Sequence, residues 1–368
     1  MRFAVIGCGV IGRAHADSIT SLAPHAEFVL AVDPIPDRAR ELAARYDAQA
    51  TTSTADALDR ADIDAVAICT PSGQHVGLAV AALEAGKHVM VEKPLDVQVD
   101  AALRVAEAER RTGRTVSVIS QHRFDRASQF VRQAVQDGKL GRITSGSAGI
   151  AWWRSQGYYD SGDWRGTWLL DGGGSLMNQG IHTIDLLVWM LGEPVEVFAW
   201  TGCLAHQGIE VEDTAVATIR FASGALGVIH GTTAAYPGLT TRLQVHGDRG
   251  SAVIDNDRLE YFHAAGAESP EAAAYGAGRE SNQAGLVLPD AAPDPAAGGA
   301  PAALPNAHTL QYRDFLDAVI HGRPPLVNVA EATATLAVVC AVYESARTGR
   351  PAPIRLRTPN DADSGTPA

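Results

Sequence analysis

A glycine-rich turn directly after the first apolar run constrains the fold of this chain more than any other feature. Residues 3–12 read FAVIGCGVIG, so a short apolar segment leads into G-x-G-x-x-G, and a helical pattern follows over residues 13–22. The first glycine permits a tight strand-to-helix turn, the second lets the backbone approach a pyrophosphate, and the third allows close helix packing. Free N–H groups at the start of the helix then face the phosphates. The predicted dinucleotide cradle comprises Gly7, Gly9, Val10, Ile11 and Gly12.

An acidic residue at the end of the next predicted strand bears on which dinucleotide is bound. Asp33 follows the apolar run at residues 27–32, at the place where a carboxylate binds the ribose hydroxyls of NAD. The same carboxylate would repel the additional 2′-phosphate of NADP, so NAD is the preferred cofactor. Arg38 lies close enough in sequence to offer that phosphate a counter-charge, which keeps NADP as the alternative. The simpler interpretation of Asp33 is a loop carboxylate before Pro34.

Composition and charge limit the partners that the chain can take. Its 368 residues suit two domains of ordinary size. The 30 basic and 42 acidic side chains give a net charge of −12, which disfavours nucleic-acid and anionic-membrane partners because no excess positive charge offsets phosphates. The four cysteines lack metal-ligand spacing, so no metal is expected. We expect a cytoplasmic protein with reduced thiols, no membrane span and no leader ahead of Phe3.

The order of predicted elements divides the chain into two domains. Strands and helices alternate at first, which predicts a doubly wound parallel sheet in a Rossmann domain over residues 1–122. The pattern then changes to strands joined by tight turns, with apolar residues at every second position. This predicts an α+β domain over residues 123–357, built on a mainly antiparallel open sheet. Residues 264–307 are dominated by Ala, Gly, Pro and acidic residues and predict a flexible loop, and residues 358–368 predict a frayed tail.

Two further stretches place reactive side chains where an α/β sheet binds its ligands. The sequence EKP at residues 92–94 ends a predicted parallel strand, and ligands bind at the carboxyl ends of such strands. Residues 172–185 read GGGSLMNQGIHTID, so a glycine-rich entry leads into a helix. Asn178, His182 and Asp185 stand there at i, i+4 and i+7, which predicts one shared helical face.

Together with the glycine turn, Asp33 and the sequence TPSGQH at residues 70–75, these motifs resemble the Gfo/Idh/MocA family, the glucose-fructose oxidoreductase and inositol dehydrogenase group. EKP after a Rossmann strand combined with G-x-H-x-x-D in a helix is specific, whereas either motif alone is not. The resemblance covers nearly the whole chain except residues 264–307. It implies an NAD(P)-dependent oxidoreductase in which Lys93 and His182 form the catalytic pair and Asn178 completes a triad.

Asn178 departs from the family pattern, because many members have an aspartate at this position. An amide can hydrogen-bond to a histidine but supplies no charge to orient it or to raise its basicity. His182 then depends either on Asp185 or on substrate contacts. Asp185 is as readily a structural residue as a functional one.

Hydride chemistry requires the residue types found here. Moving a hydride from a carbinol to NAD also requires the hydroxyl proton to leave, and a group that titrates near neutrality accepts it best. His182 suits this task at the ordinary pKa of imidazole. Lys93, in a partly desolvated cleft beside an oxidised nicotinamide, is expected to have a lowered pKa and to hold the hydroxyl or relay the proton. The ordinary alternatives are a solvated lysine at a strand end and a surface or core histidine.

A segment rich in Trp, Tyr and Arg, residues 152–168, offers further contacts. Aromatic rings stack on sugar faces and arginines fork onto hydroxyls, carboxylates or phosphates, although core packing of the second sheet is the competing interpretation. The resemblance places Trp164 and Arg165 at the nicotinamide end of the cleft and Arg123 at a hinge beside it. His75 either contacts NAD or only begins a helix. The remaining candidates are, for the cofactor, Thr70, Pro71, His75, Glu92, Lys93, Trp164 and Arg165, and, for the substrate, Lys93, Arg123, Arg154, Asn178 and His182.

Three classes of function follow from these features. The first is an NAD(P)-dependent dehydrogenase that acts on a secondary alcohol of a sugar, inositol or sugar derivative. The second is an NAD-dependent glycosidase of the same fold, which releases no net NADH. The third is a non-catalytic sugar- or NAD-binding regulator, which Asn178 favours mildly and the presence of both Lys93 and His182 disfavours. Because the exposed face of an antiparallel sheet is usually covered by a partner, we expect a homodimer or homotetramer through the C-terminal sheet.

Overall fold

Two sheets organise the part of the chain that the computed structural model describes, residues 1–266, 282–289 and 304–356. The first sheet has six parallel strands, and the second has eight strands that are mainly antiparallel. This confirms the predicted fold class, an α/β Rossmann domain followed by an α+β domain on an open sheet.

Short apolar runs that are buried on both faces form most of the first sheet. Its strands are β1 (Arg2–Ile6), β2 (Glu27–Val32), β3 (Gln49–Thr51), β4 (Ala65–Ile68), β5 (His88–Val91) and β6 (Val116–Val118). Its helices are α1 (Val10–Thr20), α2 (Pro36–Ala44), α3 (Thr54–Asp59), α4 (His75–Glu84) and α5 (Val99–Thr112). The spatial order β3-β2-β1-β4-β5-β6 reverses direction between β1 and β4, and dinucleotides bind at such a point.

Two elements of this domain have no signal in the sequence pattern. β3 is a short edge strand of sequence QAT whose residues are exposed or half-buried. α3 has six residues, of which Ala57 alone is buried. Because neither element presents an apolar stripe to the core, hydrophobic periodicity does not predict them.

The second sheet contains β7 (Ile143–Ala151), β8 (Pro194–Gly202), β9 (Thr214–Phe221), β10 (Leu226–Thr232), β11 (Thr241–Gly247), β12 (Gly250–Asp255), β13 (Arg258–Ala264) and β14 (Ala352–Pro353). Their order is β13-β12-β11-β7-β10-β9-β8-β14, and β7 runs parallel to β10. β7 and β8 are not predicted from the sequence. The β7 sequence ITSGSAGIA contains small residues where strands usually have bulky ones. The reason is close packing, because Leu187 and Leu191 of the helix that covers the sheet lie next to Gly146.

The covering helix begins in an unusual turn. Helices α6 (Arg126–Gln136) and α7 (Gln156–Tyr159) precede it, and the π-helical turn Ser175–Gly180 runs directly into α8 (Ile181–Leu191). Every residue of α8 except His182 is buried. α8 is therefore a core helix, and His182 in its first turn is the one residue of the helix that is not fully buried.

Most of the predicted loop at residues 264–307, and the whole predicted tail at residues 358–368, lies outside the described residues. The described part of the loop includes a short helix, and the flexibility of the loop stays a prediction. α9 (Ala284–Val287) packs on β13, where the Gln283 N–H donates to the Phe262 carbonyl at 2.7 Å. Ala284 is buried in this contact, so even this alanine-rich stretch finds a place in the core.

The last two helices, α10 (Leu304–His321) and α11 (Val329–Thr348), tie the two domains together. Tyr312 and Phe315 of α10 pack on Phe3 of β1, with ring centroids 5.6 and 6.2 Å apart. A helix from the C-terminal part of the chain thus completes one side of the Rossmann core. α11 is long and apolar enough to cross a membrane by length and composition, and 61% of its most apolar stretch is buried inside the protein.

Candidate active site

The glycine turn is shaped for a ligand that approaches its backbone. Gly7 has a φ of +98°, and a Cβ there would lie 2.5 Å from the Cys69 carbonyl oxygen. A Cβ on Gly12 would overlap the Gly7 carbonyl, so the packing of the turn requires both glycines. A Cβ on Gly9, in contrast, would meet nothing within 4 Å. The open space beside Gly9, next to the N-terminus of α1, fits the pyrophosphate of a dinucleotide.

Asp33 is buried at the end of β2, where it braces the glycine turn. Its Oδ2 accepts a hydrogen bond from the Cys8 N–H at 2.9 Å, and its Oδ1 accepts one from the Ile35 N–H at 2.9 Å. These bonds hold the carboxylate beside the turn, as a ribose-binding acid requires. Arg38 is exposed on α2, and its part in cofactor choice stays a prediction.

His75 bridges two loops inside the protein, and its predicted contact with the cofactor stays a prediction. Thr70 and Pro71 lead from β4 into this helix start. The buried His75 ring has Nδ1 2.7 Å from the Pro94 carbonyl oxygen and Nε2 2.8 Å from the Thr70 carbonyl oxygen. Both ring nitrogens are engaged by the protein backbone, so His75 joins the loops that follow β4 and β5.

Glu92 also has internal partners. Its Oε1 lies 2.9 Å from His15 Nε2, its Oε2 accepts the Lys93 N–H at 3.0 Å, and His15 Nδ1 lies 2.7 Å from the Tyr312 hydroxyl. Burial opposes the charge, but His15 and His308 hold the pKa of Glu92 well below its ordinary value. Glu92 lines the cavity wall as a carboxylate that histidines of α1 and α10 already contact.

One cavity of about 570 Å³ joins the glycine turn to the inner side of the second sheet. The structure brings many predicted residues together in its wall: Val10, Ile11, Glu92, Lys93, Arg154, Arg165, Asn178 and His182. Arg38, His75, Arg123 and Trp164 do not line it. The cofactor turn and the predicted catalytic residues therefore share one space, although they come from distant parts of the chain.

Lys93 is held in position by the turn before α8. Its peptide bond to Pro94 is cis, and its Nζ donates to the Asn178 carbonyl at 2.8 Å, with Asn178 Oδ1 at 3.4 Å. Burial lowers the pKa of Lys93, while Glu92 and Asp171 partly oppose the shift. The lowered pKa agrees with the expectation for a desolvated cleft.

A carboxylate stands behind Asn178. Asn178 Nδ2 donates to Asp171 Oδ1 at 2.6 Å, and Asp171 Oδ2 accepts the Gly166 N–H at 2.8 Å. Asp171 is buried, and burial raises its pKa although both oxygens receive hydrogen bonds. Sequence analysis missed Asp171, even though it immediately precedes the glycine run at residues 172–174. Asp171, seven residues before Asn178, therefore places a carboxylate next to the Asn178 amide, which itself carries no charge.

His182 departs from the expected near-neutral titration. Burial, followed by the charges of Lys93 and His122, holds its pKa well below 6.5. The His182 imidazole is therefore neutral at pH 7 and able to accept a proton. This low pKa makes the prediction of an unperturbed histidine wrong, because the sequence does not show which cations surround the ring.

His122 is a second cavity histidine that sequence analysis missed. Its ring meets that of His182 edge-to-face with centroids 5.1 Å apart, and its Nδ1 lies 2.8 Å from Asp125 Oδ2 and 2.9 Å from Asp257 Oδ1. Burial opposes protonation, but the two aspartates raise the pKa of His122 to about 10. In the sequence, only the three-residue spacing between His122 and Asp125 indicates that the two side chains could pair.

Arg123 and Asp185 form a structural pair outside the cavity wall. Arg123 is fully buried, with Nε and Nη2 donating to the two oxygens of Asp185 at 2.7 Å each and Nη1 donating to Glu331 at 2.7 Å. Asp185 also accepts from Ser120 and Thr335. These contacts give Arg123 a structural role, and its substrate-binding role stays a prediction. Asp185 lines a second, small pocket together with Lys93 and His182, but among the described residues no hydrogen bond joins Asp185 to His182.

The aromatic and arginine segment lies beside the cavity, as predicted. The Arg165 guanidinium lies 4.2 Å from the centroid of Tyr158 and 4.5 Å from that of Trp164, so both rings contact this arginine. Arg154 lies 4.9 Å from the centroid of Trp152. Trp152 contacts Arg154 and also packs against the main hydrophobic core, so core packing describes part of this segment.

Two family models match this chain. A model of the oxidoreductase family NAD-binding Rossmann fold matches residues 1–120, and a model of the GFO/IDH/MocA C-terminal domain matches residues 128–253. The chain belongs to the Gfo/Idh/MocA family. Its first domain is an NAD-binding domain, and the chain is an NAD-dependent oxidoreductase of this family.

Relatives and solved structures agree with this membership. The myo-inositol 2-dehydrogenase of Thermotoga maritima is 31% identical over 70% of this chain and 76% of its own length. The scyllo-inositol 2-dehydrogenase (NAD(+)) of Bacillus subtilis is 25% identical over 97% of each chain. The WlbA dehydrogenase of Bordetella pertussis, solved with NADH and UDP-GlcNAcA, superposes with a TM-score of 0.84 at 30% identity, covering 97% of this chain and 98% of that one.

Proposed function

We propose that this protein moves a hydride between NAD and a secondary alcohol of a sugar, inositol or sugar derivative, using Lys93 and His182 at the reacting carbon. The observation that carries the proposal is that these two side chains line the same cavity as Val10 and Ile11 of the glycine turn. Relatives named for inositols, and a structural neighbour solved with UDP-GlcNAcA, support the substrate class.

His182 removes the hydroxyl proton in this proposal. Bound NAD would supply the hydride acceptor, so the alcohol oxygen must lose its proton as the C–H bond breaks. The neutral His182 imidazole accepts that proton, and the Lys93 ammonium donates a hydrogen bond to the same oxygen as it becomes a carbonyl. Positioned proton transfer of this kind contributes roughly 10²–10⁴-fold to the rate.

Asn178 and Asp171 position the lysine. Lys93 Nζ donates to the Asn178 carbonyl, and Asp171 fixes the Asn178 amide from the opposite side. The chain Asp171–Asn178–Lys93 thereby restricts the ammonium group while leaving donors free for a substrate oxygen. The Asp171 carboxylate, which contacts the Asn178 amide, stabilises the charge on Lys93, and among the described residues no carboxylate pairs with the His182 imidazole.

Absorbance of reduced nicotinamide tests the proposal. Purified protein is mixed with NAD or NADP and a panel of inositols, aldoses, uronic acids and nucleotide sugars. A rise with one alcohol that Lys93→Ala abolishes and His182→Ala strongly reduces would support the assignment. Release of sugar from aryl glycosides without net NADH would indicate a glycosidase instead. No activity in either assay, together with tight NAD binding, would favour a non-catalytic binding protein.

We also propose that the outer face of the second sheet joins copies of this chain into a homodimer or homotetramer. Trp200, Val216 and Val228 are 65%, 43% and 45% exposed on one face of β8, β9 and β10, where Trp200 pairs directly with Val216. A flat sheet face with exposed apolar side chains suits a self-complementary contact. Light scattering after size exclusion should give a multiple of the monomer mass, and Val228→Lys should lower it. A monomeric wild-type protein would contradict the proposal.

We further place the protein in the cytoplasm. The four cysteines, Cys8, Cys69, Cys203 and Cys340, are all free thiols, which is typical of a reducing compartment. Labelling of these thiols in protein taken directly from cells checks this placement.

A further inference from the structure

Arg154 is a cavity residue whose charge the proposed mechanism does not use. Its Nη2 donates to Gln179 Oε1 at 2.9 Å, and its guanidinium lies 4.9 Å from the centroid of Trp152 and 5.1 Å from that of Tyr158. Gln179 is held in turn by the same tyrosine, since its Nε2 lies 2.9 Å from the Tyr158 hydroxyl. Arg154 is thus pre-oriented by two rings and one amide.

No carboxylate neutralises Arg154 within residues 1–266, 282–289 and 304–356. No ion pair up to 4.0 Å involves it in these ranges, and its Nε–H is buried without a hydrogen bond there. The positive charge of Arg154 is one of the charges that lower the pKa of Lys93, which places it near the reacting centre. A cation that is held rigidly, partly desolvated and without a counter-ion is costly unless a ligand supplies the negative charge.

Arg165 brings a second positive charge to the same tyrosine. Its guanidinium lies 4.2 Å from the Tyr158 centroid, and like Arg154 it lines the cavity without a carboxylate within ion-pair distance among the described residues. Two guanidinium groups held beside one aromatic ring present planar forks of N–H donors, which match the oxygens of a carboxylate or phosphate. The backbone N–H groups of the glycine turn provide for the phosphates of a dinucleotide, so these arginines remain available for the substrate.

We propose that the substrate is an acidic sugar derivative whose carboxylate or phosphate binds Arg154, with Arg165 beside it. This inference rests on the proposed dehydrogenase function and adds the charge of the substrate. It makes Arg154 a specificity residue, which selects the alcohol that reaches Lys93 and His182. A neutral inositol or aldose of the same size leaves the arginine charge uncompensated.

Matched substrates test the inference. Initial rates are compared for a neutral hexose, the corresponding hexuronic acid and the corresponding hexose phosphate, in the wild type, Arg154→Gln, Arg154→Lys and the surface control Arg110→Gln. Charge-assisted hydrogen bonds of this kind predict that Arg154→Gln lowers the ratio of acidic to neutral kcat/KM by roughly 10- to 100-fold, mainly through KM. Arg154→Lys should recover part of the ratio, and Arg110→Gln should leave it unchanged. The better of the two acidic substrates identifies the anionic group.

Two outcomes would overturn the inference. If the wild type prefers neutral sugars, or if Arg154→Gln lowers acidic and neutral kcat/KM equally, Arg154 is structural and the proposed dehydrogenase function still stands. If no sugar is turned over, the dehydrogenase function fails, and melting temperatures with NAD and each sugar present then decide the inference. The inference is supported if the acidic sugar raises the melting temperature, the neutral sugar does not, and Arg154→Gln abolishes the rise. It is refuted if both sugars raise the melting temperature equally or if neither does.

Discussion

Replacing Arg123 by methionine should destabilise the fold and spare the chemistry. Arg123 makes three charged hydrogen bonds of 2.7 Å, two to Asp185 and one to Glu331. Methionine fills much of the same space and removes the charge, so Asp185 stays buried with only hydroxyl donors from Ser120 and Thr335. Breaking a buried pair on one side costs about 3–5 kcal/mol in the free energy of unfolding. At roughly 2–4 °C per kcal/mol, the melting temperature should fall by about 6–20 °C.

Urea unfolding followed by circular dichroism measures this loss. The matched control is Arg110→Met, because Arg110 is exposed on α5 and pairs with Glu107 at the surface, where such a pair is worth about 0–1 kcal/mol. At a temperature where each variant is folded, kcat/KM of Arg123→Met should stay close to that of the wild type. Adding Asp185→Leu should recover part of the stability, since the second substitution removes the unpaired charge.

Wild-type stability together with a large rise in KM would refute this reasoning. Arg123 would then bind substrate, as the sequence resemblance suggests, and the pair with Asp185 would not describe the working enzyme. A loss of stability below about 1 kcal/mol would also count against a buried pair, because exposed pairs already reach that value.

Three further predictions concern the cavity. Asp171→Asn should lower kcat more than it raises KM, because Lys93 loses a fixed anchor and a charge that raises its pKa; steady-state kinetics across pH check this, and an unchanged profile would contradict it. In the oxidation direction kcat/KM should fall only below pH 6.5, since the pKa of His182 lies well below that value; an acid limb centred above pH 6.5 would contradict the neutral base. The pKa of His122 is raised from 6.5 to about 10, so its protonation stabilises the fold fully below pH 6.5 and this stability is lost as pH rises towards 10. The stability difference between wild type and His122→Gln, from urea titrations, should shrink over that range, and a constant difference would count against the ion pair with Asp125 and Asp257.

Local sequence signals predicted the elements that depend on neighbours in the chain. The glycine turn, the apolar strands β1, β2, β4 and β5, and the paired motifs around Lys93 and His182 all appear where the sequence placed them. Each depends on backbone conformation or on a periodicity within a few residues, both of which are visible in a single sequence. Polar or small-residue strands such as β3 and β7 lack such a signal because their partners, and not their own side chains, hold them in the sheet.

The roles of charged side chains depended on contacts that the sequence does not show. Arg123 is itself a predicted site residue, yet its partner Glu331 is 208 positions away and holds it in the core. Asp171 and His122 carry no family motif, and packing brings them to Asn178 and His182.

The sequence alone therefore determined the Rossmann fold and the cofactor turn, since these follow from local backbone geometry and hydrophobic pattern, and the resemblance to the family supplied the catalytic candidates. The tertiary structure decided which charges are paired and which face the cavity. The physical reason is that a pKa or an ion pair depends on burial and on distances of a few ångströms between groups that may be hundreds of residues apart in sequence.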